Sequence, residues 1–186
     1  MNHKGTIELQ TERLILRRFR QDDAQDVFDN WANDKDVTKH LSWTPHGNVE
    51  ATKQYVVACV ERYEKESVYH WAIVPKEYGK VIGSIEVMNV SEINGRCEVG
   101  YCMSKRYWNK GIMSEALKAA VRFLFDEVGF NRIQAVHHIE NPASGKVMQK
   151  AGMKYEGRLK QYLANKCGDF VDCDIYAIVK HRDEVL

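Results

Sequence analysis

Between Arg96 and Glu140 the chain reads as a strand, a loop, an amphipathic helix and a second strand, an order that leaves few folds open. The helix, about Gly111 to Val128, carries an apolar stripe of Met113, Ala116, Leu117, Ala120, Val121, Leu124 and Val128 at i, i+3, i+4, i+7 and i+8 spacing. Glu115, Lys118, Arg122 and Asp126 lie on the opposite face, and Gly129 supplies the stop. A helix with one apolar stripe needs a packed surface to cover it. A strand–helix–strand connection favours parallel pairing of the flanking strands, here Arg96 to Met103 and Arg132 to Glu140.

The remaining segments build outward from this unit. Thr11 to Phe19, rich in branched residues, is predicted as a strand, and Asp22 and Asp23 then suit a helix start, with Val27, Phe28 and Trp31 at helical spacing. A second helix is predicted from Val49 to Lys65, with Tyr55, Val56, Cys59, Val60 and Tyr63 on one face. Tyr69 to Val74, Val81 to Val90 and Arg96 to Met103 are punctuated by Tyr78-Gly79 and Asn94-Gly95, the pattern of an antiparallel meander. A short helix, Pro142 to Ala151, stops at Gly152, and strands near Tyr155–Leu163 and Val171–Val179 end the pattern. The expectation is an α+β fold in one domain over 1–186, core about 8 to 180, with a mixed, mostly antiparallel sheet and helices on both faces.

Composition removes several functions. With 27 Lys+Arg against 26 Asp+Glu, net charge +1, the chain lacks the basic excess on which phosphate-driven nucleic-acid binding relies. No apolar run approaches the roughly 20 residues of a membrane helix, and Met1 to Gln10 lacks the apolar centre of a secretory signal. Neither nucleic acid nor membrane is an expected partner. The five cysteines, Cys59, Cys97, Cys102, Cys167 and Cys173, include no C-x-x-C pair, so reduced thiols in a cytoplasmic, metal-free protein are expected.

Two segments carry chemistry. The first, Arg106 to Ala116, is a loop that meets a helix start, where unpaired backbone N–H groups and the positive dipole end favour a phosphate. Gly111 removes a side chain where a ligand would approach the backbone; taken alone, it reads first as a tight turn. No G-x-x-x-x-G-K-[ST] or G-x-G-x-x-G occurs. The second segment runs from Glu140 to Met153. Asn141 before Pro142 is a helix cap by itself. Ser144 shares a helical face with Val147, Met148 and Ala151, so its hydroxyl needs a partner, either a carbonyl three or four residues back or a ligand. Glu98, a carboxylate among Cys97, Val99 and Tyr101, is either functional or ion-paired, with Arg96 or Arg132 at hand.

Together these blocks resemble the GNAT superfamily of N-acetyltransferases, nearest its Rim-type branch, which acetylates ribosomal-protein N-termini. The carriers are T-E-R-L-I-L-R at Thr11–Arg17, I-G-S-I at Ile82–Ile85, E-V-G-Y at Glu98–Tyr101, W-N-K-G-I-M-S-E-A-L at Trp108–Leu117, E-N-P-A-S at Glu140–Ser144 and A-G-M-K-Y-E-G at Ala151–Gly157, spanning about residues 8 to 180. The resemblance implies an acetyl-CoA site between two splayed central parallel strands, those ending at Met103 and Glu140. Tyr101 and Met103 would flank the pantetheine arm, and the backbone of Asn109, Lys110, Gly111, Ile112, Met113 and Ser114 would hold the pyrophosphate. Asn141 would hydrogen-bond the pantetheine, and Ser144 would lie near the thioester sulfur.

The chain departs from the pattern at several positions. Trp108 and Met113 replace the usual Gln or Arg and a small residue, and Asn109 stands where Gly is frequent. The tyrosine that many members use as acid is matched by Met148, which leaves Ser144, the serine of Rim-type enzymes. Val136 stands where one relative has a catalytic glutamate, and Tyr162, Leu163 and Ala164 where another does. Glu98 is therefore the first choice of base, with His138 in reserve; His137 and His138, as strand neighbours, face opposite ways and make a poor metal pair. The expected acceptor is a protein N-terminal α-amine. The alternatives are a small amine, for which Glu86, Glu92 and Glu98 could gather around a polyamine, or a CoA-binding regulatory module without turnover. A monomer or homodimer is expected.

Overall fold

The computed structural model describes residues 1–180. Its eight-stranded sheet is made of β1 (Leu9–Gln10), β2 (Leu14–Arg17), β3 (His70–Pro75), β4 (Gly83–Ser91), β5 (Arg96–Met103), β6 (Arg132–His138), β7 (Lys154–Ala164) and β8 (Phe170–Val179), in the order β1-β2-β3-β4-β5-β6-β8-β7. Every neighbouring pair is antiparallel except β5–β6. The helices are α1 (Ala24–Val27, continued by a π turn to Ala32), α2 (Lys35–Thr38), α3 (Val49–Arg62), α4 (Ile112–Phe123) and α5 (Pro142–Lys150).

The crossover helix behaves as its stripe requires. All seven stripe residues are buried, Ala116, Leu117, Ala120 and Leu124 completely, and each buried Leu or Val contributes about 1.5–3 kcal/mol relative to exposure. The helix widens into a π turn over Leu124–Val128 and ends at Gly129, φ 90°. One apolar cluster lies under α4 and α5, against Cys97, Val99 and Met103 of β5 and Ile133 and Ala135 of β6. A second packs α1 and α3 against Ala72 and Val74 on the other face. The expected α+β architecture, with helices on both faces, is what forms.

Two local expectations need correction, and one element was not foreseen. The strand expected over Thr11–Phe19 is shorter, Leu14–Arg17: Thr11 Oγ1 accepts the Leu14 N–H at 3.0 Å, closing a turn that separates it from β1. The helix expected to reach Lys65 ends at Arg62. A short helix unforeseen in the sequence, α2, is capped by Asp34, whose Oδ1 accepts the N–H groups of Asp36 and Val37.

The feature that matters for function is the β5–β6 ladder. It runs only from Arg96↔Arg132 to Glu98↔Gln134. Beyond Glu98, β5 continues with β4 to Met103, while β6 continues with β8 to His138. The two parallel strands diverge, and a gap opens in the middle of the sheet.

Candidate active site

The gap continues into a cleft of about 240 Å3, room for several waters at about 30 Å3 each. Tyr101 and Met103 line one wall, Asn141 and Ser144 another, and Asn109, Gly111, Ile112, Met113 and Ser114 close the end. Of the residues expected around a coenzyme, only Lys110 stays outside the lining: its ammonium rests 5.5 Å from the Tyr107 ring centroid, and its carbonyl accepts from Arg13 Nη1 at 3.2 Å. Val37, His40 and Leu41, from α2 and the turn after it, also border the cleft; four helical residues gave too short a period to read.

The loop before α4 is shaped by its backbone. Asn109 and Gly111 both have positive φ, 60° and 74°, a region open to glycine and tolerated by asparagine. The departure from glycine at Asn109 is thus conformationally mild. Gly111 is the N-cap of α4 and makes no side-chain cap, so the first-turn N–H groups have no side-chain acceptor from it. Trp108 ties the loop to β5, its Nε1–H donating to the Met103 carbonyl at 2.9 Å, and the Met113 side chain is buried in the core. The outer side of α4 is held by Glu115, which accepts from Thr11 Oγ1 and from Arg13 N and Nε. Burial pushes the Glu115 carboxyl up, but these hydrogen bonds outweigh it and hold it below the usual range.

Asn141 caps α5: its Oδ1 accepts the Ser144 N–H at 3.4 Å. Its Nδ2 has no protein partner among the described residues and remains available to a ligand carbonyl. Ser144 Oγ lies 2.9 Å from the Tyr101 hydroxyl, so its partner is a phenol from β5 rather than a helix carbonyl. Met148, which the resemblance matches to a tyrosine acid, is 1% exposed in the core.

Glu98 occupies the other face of the sheet from Tyr101 and Ser144, beside Glu86 and Met88, as strand alternation requires. It is buried, accepts from Gln134 Nε2 at 3.2 Å and Asn89 Nδ2 at 3.5 Å, and has no cation within 4.0 Å among the described residues. The alternative ion pair does not form. Arg132 is taken by Glu156, and Arg96 has no partner at this carboxylate. Asn89 reaches Glu98 from a bulge in β4, with φ 50°. The three-carboxylate grouping also dissolves: Arg62 neutralises Glu86 at 2.7 Å, and Glu92 pairs with His3.

His137 and His138 do point apart. His137 is buried under α5, where a Cβ on Gly145 would meet its Nε2 at 2.6 Å. The His138 ring lies 5.1 Å from that of His40, with Glu140 close by. Its Nδ1 accepts the Glu140 N–H at 3.1 Å, which puts the proton of the neutral ring on Nε2. In that tautomer Nε2 donates and Nδ1 is already taken by the Glu140 N–H, so neither nitrogen is left free to take a proton or a metal ion.

The acetyltransferase (GNAT) domain family matches residues 13–154 of the chain. The chain belongs to the GNAT acetyltransferases. It is similar to YoaA of Bacillus subtilis, named as an uncharacterized N-acetyltransferase, at 30% identity over 94% of this chain and 98% of that protein. It is similar to the ribosomal protein uS5-alanine N-acetyltransferase of Escherichia coli at 27% identity, covering 84% of this chain and 83% of that one. Among solved structures, a GNAT-family acetyltransferase from Bacillus anthracis superimposes with a TM-score of 0.81 at 26% identity, covering 93% and 98% of the two chains. The GNAT protein described here is an acetyl-CoA-dependent N-acetyltransferase. No helix among its described residues is long and apolar enough to cross a membrane.

Proposed function

We propose that this GNAT enzyme acetylates a protein N-terminal α-amine, with the cleft between β5 and β6 holding acetyl-CoA. The fit rests on three features: the strand gap, the open cleft, and the α4 N-terminus, whose first-turn N–H groups and dipole suit a diphosphate. The backbone from Asn109 to Ser114 would take the diphosphate, Tyr101 and Met103 would flank the pantetheine, and Asn141 Nδ2 would donate to one of its carbonyls. The coenzyme supplies a thioester as the acetyl donor.

The observation that carries the acceptor reading is Glu98: a buried carboxylate, held by two neutral amides and unneutralised, one step before the strands part. Such a group favours an ammonium beside it and can take up its proton. An α-amine asks little of it. With a reference pKa near 7.7–8.0, about a tenth of it is already neutral at pH 7, whereas a lysine amine near 10.4 needs a far stronger base. The relative that acts on uS5 alanine supports the same acceptor class. With Glu86 paired to Arg62, the three carboxylates are not free as a set for a polyamine.

The test is release of CoA thiol from acetyl-CoA in the presence of hexapeptides with free Ala, Ser or Met N-termini, their N-acetylated forms, and spermidine. Release with the free peptides and none with the blocked ones is expected. Turnover with spermidine alone would replace this acceptor with a small amine. Tight acetyl-CoA binding without thiol release from any amine would mark a regulatory module, the reading that buried Met148 would favour.

A further inference from the structure

The side chain of Tyr101 does more than a strand beside a ligand requires. Standing on β5 where the strands part, its hydroxyl crosses to α5 and lies 2.9 Å from both the carbonyl oxygen and the Oγ of Ser144. The ring packs against the apolar cluster beneath α4 and α5. The Ser144 carbonyl, four residues before Met148 in α5, has a helical N–H partner in an ordinary helix and does not need the phenol. Two arrangements of protons are therefore open to the pair. In one, Tyr101 donates to the carbonyl and Ser144 donates to the phenol oxygen. In the other, Tyr101 donates to Ser144 Oγ, and the serine O–H turns to donate into the cleft. An anion arriving in the cleft selects the second.

We propose that Tyr101 and Ser144 form one two-hydroxyl donor to the sulfur of departing coenzyme A, with Ser144 in contact and Tyr101 behind it. This rests on the acetyl-CoA reading above. The amine nitrogen bonds to the thioester carbonyl carbon, and the C–S bond breaks with its electron pair moving to sulfur. Ser144 Oγ–H donates to that sulfur while Tyr101 O–H donates to Ser144 Oγ. The proton shed by the amine passes to Glu98 and on to solvent; coenzyme A leaves as a thiolate that accepts the Ser144 hydrogen bond and takes its proton from solvent, so amide and thiol form with no net proton. Burial holds the Tyr101 phenol well above its ordinary value and keeps it a donor at any working pH. Tyr101 is thus a positioning residue that acts through Ser144.

The experiment needs no acceptor. Affinities for CoA and acetyl-CoA are measured by calorimetry between about pH 6.5 and pH 9.5, a range that spans the reference thiol value near 8.5. Donors aimed at sulfur favour its thiolate, so the affinity for CoA relative to acetyl-CoA should rise with pH. Tyr101→Phe should flatten the rise in the CoA to acetyl-CoA affinity ratio by about ten- to a hundredfold, the worth of a hydrogen bond to a charged group. Ser144→Ala should do the same. The double variant should lose no more than either single, because the two act as a unit. A brace would instead weaken both ligands equally at every pH and leave the pH dependence of their ratio intact, which overturns the proposal. A flat ratio in the wild-type protein also overturns it and leaves the acetyl-CoA reading standing. Binding of neither ligand sinks that reading and this proposal together.

Discussion

Acid should loosen this fold through His70 before it reaches most of the carboxylate pairs. His70 is 2% exposed on β3, its ring edge-on to Phe19 at 4.9 Å, and its Nδ1 has no partner among the described residues. Burial lowers its pKa from an ordinary 6.5 to about 4. Between those two values the unfolded chain binds a proton that the folded chain excludes. Stability therefore rises with pH from about 4 to 6.5 on this account and is flat above. The gap of about 2.5 units (6.5 less 4), at 1.36 kcal/mol per unit, is roughly 3 kcal/mol, a large share of the 5–15 kcal/mol typical of a domain. Burial also lowers His40 and His46, which add smaller slopes of the same sign. Urea midpoints at about pH 7.5, 6.5, 5.5 and 4.5 measure the effect. The wild-type protein should lose about 2–3 kcal/mol across the lower part of this range, while His70→Phe, which keeps a ring against Phe19, should lose much less. Parallel slopes in the two proteins would refute the argument.

Further outcomes follow from the cleft. A Cβ on Gly83 would stand 2.5 Å from the Cys102 carbonyl oxygen and 3.0 Å from Met103 Cα, both backbone; Gly83→Ala should cost about 1–3 kcal/mol and weaken acetyl-CoA binding through the displaced cleft wall, read by urea midpoint and calorimetry. At the loop, Gly111→Ala should cost about 1–2 kcal/mol because a Cβ is unfavourable at φ 74°. Asn109→Gly should lie within about 0.5 kcal/mol of wild type, since asparagine already tolerates the left-handed region. Glu98→Gln should reduce turnover of an alanine-initiated peptide most at pH 7 and progressively less toward pH 9, as the amine deprotonates unaided; a loss independent of pH would make Glu98 structural.

The fold was largely legible because its strongest signal, the α4 stripe, depends only on local periodicity, and the two glycines at the helix ends need no partner to do their work. The turn at Gly111 was legible for the same reason, since its positive φ follows from residue type. What escaped the sequence depends on distant groups. Whether Glu98 meets an arginine turns on the commitment of Arg132 to Glu156 and on the bulge that aims Asn89 inward. The sequence offers Ser144 a carbonyl of its own helix or a ligand, whereas the phenol comes from residue 101 across a gap that register alone creates. His138 lost its place as a base through one backbone N–H, which no pattern announces. Single-turn α2, which brings Val37 to the cleft, left too few residues to show a period.

A crystal structure of the protein with acetyl-CoA tests the central claim most directly. The account places the diphosphate within about 3 Å of the first-turn N–H groups of α4, from Gly111 onward, with the thioester running inward to Ser144 between the diverging ends of β5 and β6. A coenzyme bound elsewhere, or a diphosphate held by side chains away from that helix end, would contradict it.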